Sequence, residues 1–145
     1  MTTPFTSDAE IIAIGEGVVA RTLPKPAWTH AAHFAAAVYL IAGQSDLVAE
    51  RDMPGLIRAY NTATGVANTD SEGYHETITL ASLRAVRAFL ARLPEGAPLF
   101  VACNALLVTE LGKRDWLLAY WSRDRLFSGE ARRGWVGPDV RDLPF

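Results

Sequence analysis

Apolar positions recur at helical spacing along most of this chain, and no stretch sustains the alternation of a half-buried strand. Ser7-Asp8-Ala9-Glu10 fits a capping box, with Ser7 as N-cap and Glu10 at N3. Ile11, Ile14 and Val18 follow at helical spacing, and Pro24 and Pro26 end this first helix. A second helix starts at Thr29 as N-cap and runs to Gly43. Trp28 at N′ and His33 at N4 take the two positions of a hydrophobic staple. Residues 31–42 carry no charge other than one on His33 and are apolar on every side, which predicts a helix central to its fold. Its alanines allow close approach by neighbours.

The pattern continues with a helical turn over residues 45–51. Pro54 suits the first turn of a third helix, with Met53, Leu56, Ile57 and Tyr60 on its inner side and Gly65 at C′. Thr69-Asp70-Ser71-Glu72 fits a second capping box, which predicts a fourth helix running to about Leu93. A fifth spans residues 98–111 and stops at Gly112. A sixth, rich in aromatics (Trp116, Tyr120, Trp121), covers residues 113–125. Residues 128–133 read as a short helix closed by Gly134. The tail, 135–145, has no period, and its aromatics predict a strap packed on the helices. The expected fold is all-α: one domain over residues 1–145, a bundle of five or six helices with an extended C-terminal strap.

Composition refines this picture. Half of the 145 residues are hydrophobic, enough to build a core without disulfides or a structural metal. The formal charge of −2 has no long run of one sign, which argues against a nucleic-acid surface. Only Lys25 and Lys113 of the 14 basic residues are lysines, which reads as a compositional bias of the source genome. Cys103, the single cysteine, lies in an apolar run and reads as a small buried residue. The N-terminus is polar and acidic, unlike a signal peptide, and the apolar run 31–42 is too short to span a bilayer. A cytoplasmic protein without a membrane segment is the expectation.

The candidate chemistry lies in the three histidines. His30 and His33 fall in Trp28-Thr29-His30-Ala31-Ala32-His33, and His75 in Gly73-Tyr74-His75-Glu76-Thr77. His30 and His33 are three apart and share a helix face. On the fourth helix, with His75 as the reference direction, Val86 lies about 20° away, Leu93 about 0° and Phe89 about −40°. That projection puts His75 in the core stripe and Glu76 at its edge. Two imidazoles at i and i+3, joined by a third from a neighbouring helix, can hold a divalent metal and leave positions open for water or substrate. The positive end of each helix dipole and burial both favour the neutral, ligating imidazole. Glu76 would then be a fourth ligand, an acceptor for a ring N–H, or a general base toward bound water. Tyr60, Asn61 and Tyr74 are candidate polar contacts to a ligand.

Histidines at helix starts also serve as caps and packing residues. His-x-x-His alone is unspecific, and His75-Glu76 lacks the second histidine of the zinc-protease pattern. The chain resembles a small family of bacterial all-helical proteins of unassigned activity. The resemblance rests on Trp28-Thr29-His30-x-x-His33, Tyr60-Asn61, Gly73-Tyr74-His75-Glu76-Thr77-Ile78-Thr79, and Ala131-Arg132 with Trp135-Val136-x-Pro138-Asp139. A looser likeness, to the DinB-like helical bundles, implies a divalent metal held by three histidines, though the histidine spacing differs.

Two functional readings follow. In the first, His30, His33 and His75 bind Zn, Ni, Fe or Mn, and Glu76 assists a hydrolase or transferase reaction on a small molecule. In the second, the histidines form a buried polar cluster in a non-catalytic small-ligand-binding or interaction module. The aromatic sixth helix and tail would also suit a homodimer surface.

Overall fold

Capping chemistry sets the first two helices where the sequence places them. In this computed structural model, which describes residues 4–43 and 46–145, Ser7 accepts the Glu10 N–H and opens α1, Asp8–Val19. The Glu10 carboxylate reaches back to the Thr6 N–H at 2.7 Å, one residue earlier than a strict capping box. Thr29 accepts the Ala32 N–H at 3.1 Å and opens α2, His30–Ala42. Trp28 and His33 stack with ring centroids 3.7 Å apart, so the staple is formed by two aromatic rings.

Helix α2 is the centre of the molecule, with Phe34, Ala35, Ala36, Ala37, Val38 and Leu40 all buried. Helix α1 packs against it at Gly15, where a Cβ would fall 2.2 Å from Tyr39 Cδ2. Only a glycine permits that approach.

Helix α3, Ala49–Ala63, starts earlier than the position of Pro54 predicts. Asp52 accepts the Val48 N–H at 2.7 Å and supports the extra turn. Pro54 therefore sits inside the helix rather than in its first turn. The turn expected over residues 45–51 lies partly outside the described residues, and its later part is the start of α3. The C-terminus forms a Schellman motif: the Val66 N–H donates to Asn61 O and the Gly65 N–H to Thr62 O, with Gly65 at φ 83°.

The fourth helix begins later than the Thr69 box predicts. Thr69 Oγ1 does accept the Glu72 N–H at 3.2 Å, but this bond closes a loop. Gly73, at φ 81°, turns the chain out of that loop, and α4 runs from Glu76 to Leu90 with His75 as its N-cap.

The aromatic stretch after α5, Leu99–Leu107, does not form the long helix that its apolar content suggests. Thr109 accepts the Leu111 N–H and starts a 3-10 turn, Glu110–Gly112, and a second follows at Trp116–Ala119. Tyr120 O accepts the N–H groups of Val140 and Arg141, and Ser122 caps a new short helix, α6, Arg123–Leu126. Helix α7, Gly129–Arg133, is capped by Ser128 and closed at Gly134, as its sequence predicts.

The described residues are all-helical, without a strand. Among them no helix is long and apolar enough to cross a membrane. The C-terminal residues meet the helices at definite points. Thr77 Oγ1 donates to Gly134 O and accepts the Val136 N–H, at 2.8 and 3.1 Å. The buried Trp121 indole donates to Val136 O, and Asp139 accepts from both the N–H and the hydroxyl of Ser122.

Candidate functional site

The first turn of α2 carries two histidines, and each uses one ring nitrogen on a carbonyl. A carbonyl only accepts, so the nitrogen facing it carries the proton. His30 Nε2–H donates to Leu111 O at 2.9 Å, and its ring stands edge-on to Phe34. His33 Nδ1–H donates to Thr29 O at 2.6 Å. His30 Nδ1 and His33 Nε2 have no partner among the described residues. His33 is exposed at the cavity rim, with Trp28 stacked on its ring. Desolvation lowers its pKa to about 4, against the rise from the Thr29 bond and with a smaller push from His30, so it is neutral at pH 7.

Both rings line a half-open cavity of about 390 Å³ between α2, α3, α4 and the second 3-10 turn. Phe34, Ala37, Met53, Ile57, Leu83 and Trp116 supply much of its apolar wall. Thr29, Thr79 and Ser82 add hydroxyls, and Arg114 adds a guanidinium. Among the described residues, no carboxylate lines it. This volume falls within the usual range for small-molecule sites, which pair apolar walls with a few placed polar groups.

His75 lies outside this cavity wall and is buried, as the projection expects, but it is not a helical residue. It is the N-cap of α4, in an extended conformation at φ −135°, so it lies outside the helical stripe. Its Nδ1 accepts the Ile78 N–H at 3.1 Å, and its Nε2–H donates to Leu126 O at 2.7 Å. A neutral imidazole has one lone pair and one N–H, and both are engaged here. The ring is buried, and desolvation holds its pKa below the ordinary value, with Arg132 pushing the same way. Among the described residues, no three His, Cys, Asp or Glu side chains form a group that could hold a metal ion. The shared site expected for His30, His33 and His75 with Zn, Ni, Fe or Mn does not fit this arrangement. The reason is local: His75 uses its lone pair on its own helix.

The other expected site residues also have structural partners. The Tyr74 hydroxyl donates to Glu76 Oε1, and Arg58 lies 4.2 Å over the Tyr74 ring. Burial, then the neighbouring Glu76 carboxylate, pushes the Tyr74 hydroxyl well above its usual range. Glu76 does not line the cavity. The Tyr60 hydroxyl donates to Leu23 O at 2.9 Å. Asn61 donates to Asn68 Oδ1, which also accepts the Tyr74 N–H. Asn61 and Tyr74 tie the α3–α4 loop together through Asn68, Tyr60 ties α3 to the residues after α1, and all three stand outside the cavity wall.

Sequence reasoning missed Thr79, Ser82 and Arg114. The i, i+3 spacing of Thr79 and Ser82 was a readable signal, because it puts two hydroxyls on one helix face. Arg114 had none, since it reaches the pocket only through the 3-10 turns. Comparison with known proteins finds no matching family model, no similar curated protein and no similar solved structure.

Proposed function

We propose that this protein binds a small, largely apolar molecule in the His30–His33 pocket, without a catalytic role for Glu76. The observation that carries this reading is the pairing of an apolar cavity with two histidine nitrogens that lack partners among the described residues. His33 is exposed and His30 half-buried, so each open nitrogen can exchange water for a donor group on a ligand. His75 contributes by fixing the start of α4, which presents Ile78, Thr79 and Ser82 to the cavity. We also read residues 135–145 as a strap that holds α6 and α7 against the bundle.

Trp28 and Trp116 line the cavity, whereas Trp121 and Trp135 do not. A fragment set titrated into 15N-labelled protein should move the indole signals of Trp28 and Trp116 and leave the other two in place. Ser82→Phe, which fills the cavity from the half-buried α4 face, should abolish those shifts while the spectrum stays folded. Shifts confined to Trp121 and Trp135, or binding that survives Ser82→Phe, would overturn the proposal.

A further inference from the structure

We infer that the pocket selects an organic carboxylic acid, with its carboxylate at Arg114, an apolar body against α3 and α4, and a hydroxyl or N–H facing His33. This inference rests on the pocket reading above and adds the chemistry of the ligand.

Charge is the first argument. Among the described residues, Arg114 is the sole Lys or Arg in the wall, and no carboxylate lines the cavity to neutralise it. The neighbouring Lys113 is paired with Glu110 at 3.1 Å. Arg114 has no ion pair or hydrogen bond among the described residues. A guanidinium offers a planar fork that matches one carboxylate in two parallel bonds. One such group answers a single negative charge, whereas a phosphate dianion calls for more cationic partners than this wall holds.

Hydrogen-bond polarity is the second argument. His33 places Nδ1–H on Thr29 O, which leaves Nε2 as an acceptor. His30 is fixed in the opposite sense, with Nε2–H on Leu111 O and Nδ1 open. An acceptor in the wall selects a ligand that donates. Ser82 can meet either polarity, so it does not narrow the choice. The remaining wall is apolar, from Phe34 and Ala37 to Ile57 and Leu83, and favours a hydrocarbon or aromatic body.

Three probes separate these features: 3-(4-hydroxyphenyl)propionate, its methyl ester, and 3-phenylpropionate. Affinities are read from the Trp28 and Trp116 indole shifts. The hydroxylated acid should bind about tenfold more tightly than its ester, the effect of one charge-assisted hydrogen bond. Arg114→Gln should bring the acid to the affinity of the ester and leave the ester unchanged. The hydroxylated acid should also bind about threefold more tightly than 3-phenylpropionate, within the range of one neutral hydrogen bond. His33→Phe, which keeps an aromatic ring on Trp28, should remove that preference.

Equal binding of acid and ester by the unaltered protein, or an acid preference that survives Arg114→Gln, overturns the carboxylate assignment and leaves the pocket standing. Equal binding of the two acids overturns the donor assignment. If none of the three probes moves either indole while other fragments do, the acid inference falls alone. If no compound does, the pocket reading falls with it.

Discussion

His75 joins two distant parts of the chain through opposite edges of one ring. Its lone pair caps α4, and its N–H holds the carbonyl of Leu126 at the end of α6. His75→Ala removes a cap worth about 1 kcal/mol. It also strands a carbonyl, at about 1–3 kcal/mol. The expected loss in urea unfolding is therefore about 2–4 kcal/mol. His75→Asn should recover the cap share alone, because its shorter side chain can accept from Ile78 without reaching Leu126. A loss below about 0.5 kcal/mol for His75→Ala would mean the ring is a bystander.

Protonation tests the same ring. His75 is held below its ordinary value, and His33 is held at about 4 against an ordinary 6.5. The unfolded chain therefore binds more protons than the folded one in the range below 6.5. Stability should be complete above that range and fall as the pH drops toward 4. Following the urea midpoint from pH 7.5 to 4.5 checks this, and His75→Asn should flatten part of the slope. A midpoint that rises on acidification would contradict the assignment. The sequence showed which residues these were, but a helical wheel assumes that its reference residue is helical. His75 is buried, as the wheel expects, but it is the cap, so the wheel could not show the two bonds its ring makes.

At the scale of elements, the α1–α2 contact depends on a missing side chain. Gly15→Ala would place a Cβ 2.2 Å from Tyr39 Cδ2 and 2.8 Å from Tyr39 Cβ. Tyr39 cannot swing its own Cβ away, so the helices must part. Overpacking of this kind costs about 1–3 kcal/mol, despite the better helix propensity of alanine. A thermal melt should show the loss, and a variant as stable as the parent would show that the contact is loose.

Elements with strictly local signals were legible: Ser7, Thr29 and Ser128 mark helix starts, and Gly65 marks an end. The Thr69 box misled because the same side-chain bond closes a loop when Gly73 follows at φ 81°. The stretch 113–125 misled because it is divided between one 3-10 turn, the start of α6 and a later partner. Tyr120 O is bonded to Val140 and Arg141, residues that no local pattern connects to it.

Over the whole molecule, the C-terminal residues meet α4 through Thr77. Its buried hydroxyl serves Gly134 O and the Val136 N–H together. Thr77→Val keeps the shape and deletes both bonds. Amide exchange for residues 134–141 should then quicken by at least about tenfold, the equivalent of 1.4 kcal/mol, with α2 amides unaffected. Uniform acceleration along the chain would instead show that this segment opens only when everything does. The pocket itself was half legible. Its α2 wall followed from the spacing of His30 and His33, while Arg114 and Trp116 arrive through tertiary folding.

The His75–Leu126 bond also sets an order of events during synthesis. Its two ends are 51 residues apart in the chain. At ribosomal speeds of about 5–20 residues per second, the α4 start waits about 3–10 s for its partner to be made. In that interval His75 can cap its own helix, and its N–H faces water. Trp116 and Leu117, which line the pocket, are also made after α4. The cavity is thus completed late, from residues made after α2, α3 and α4. A ligand can therefore stabilise the finished fold by mass action, but it has no assembled site to guide the first steps toward it.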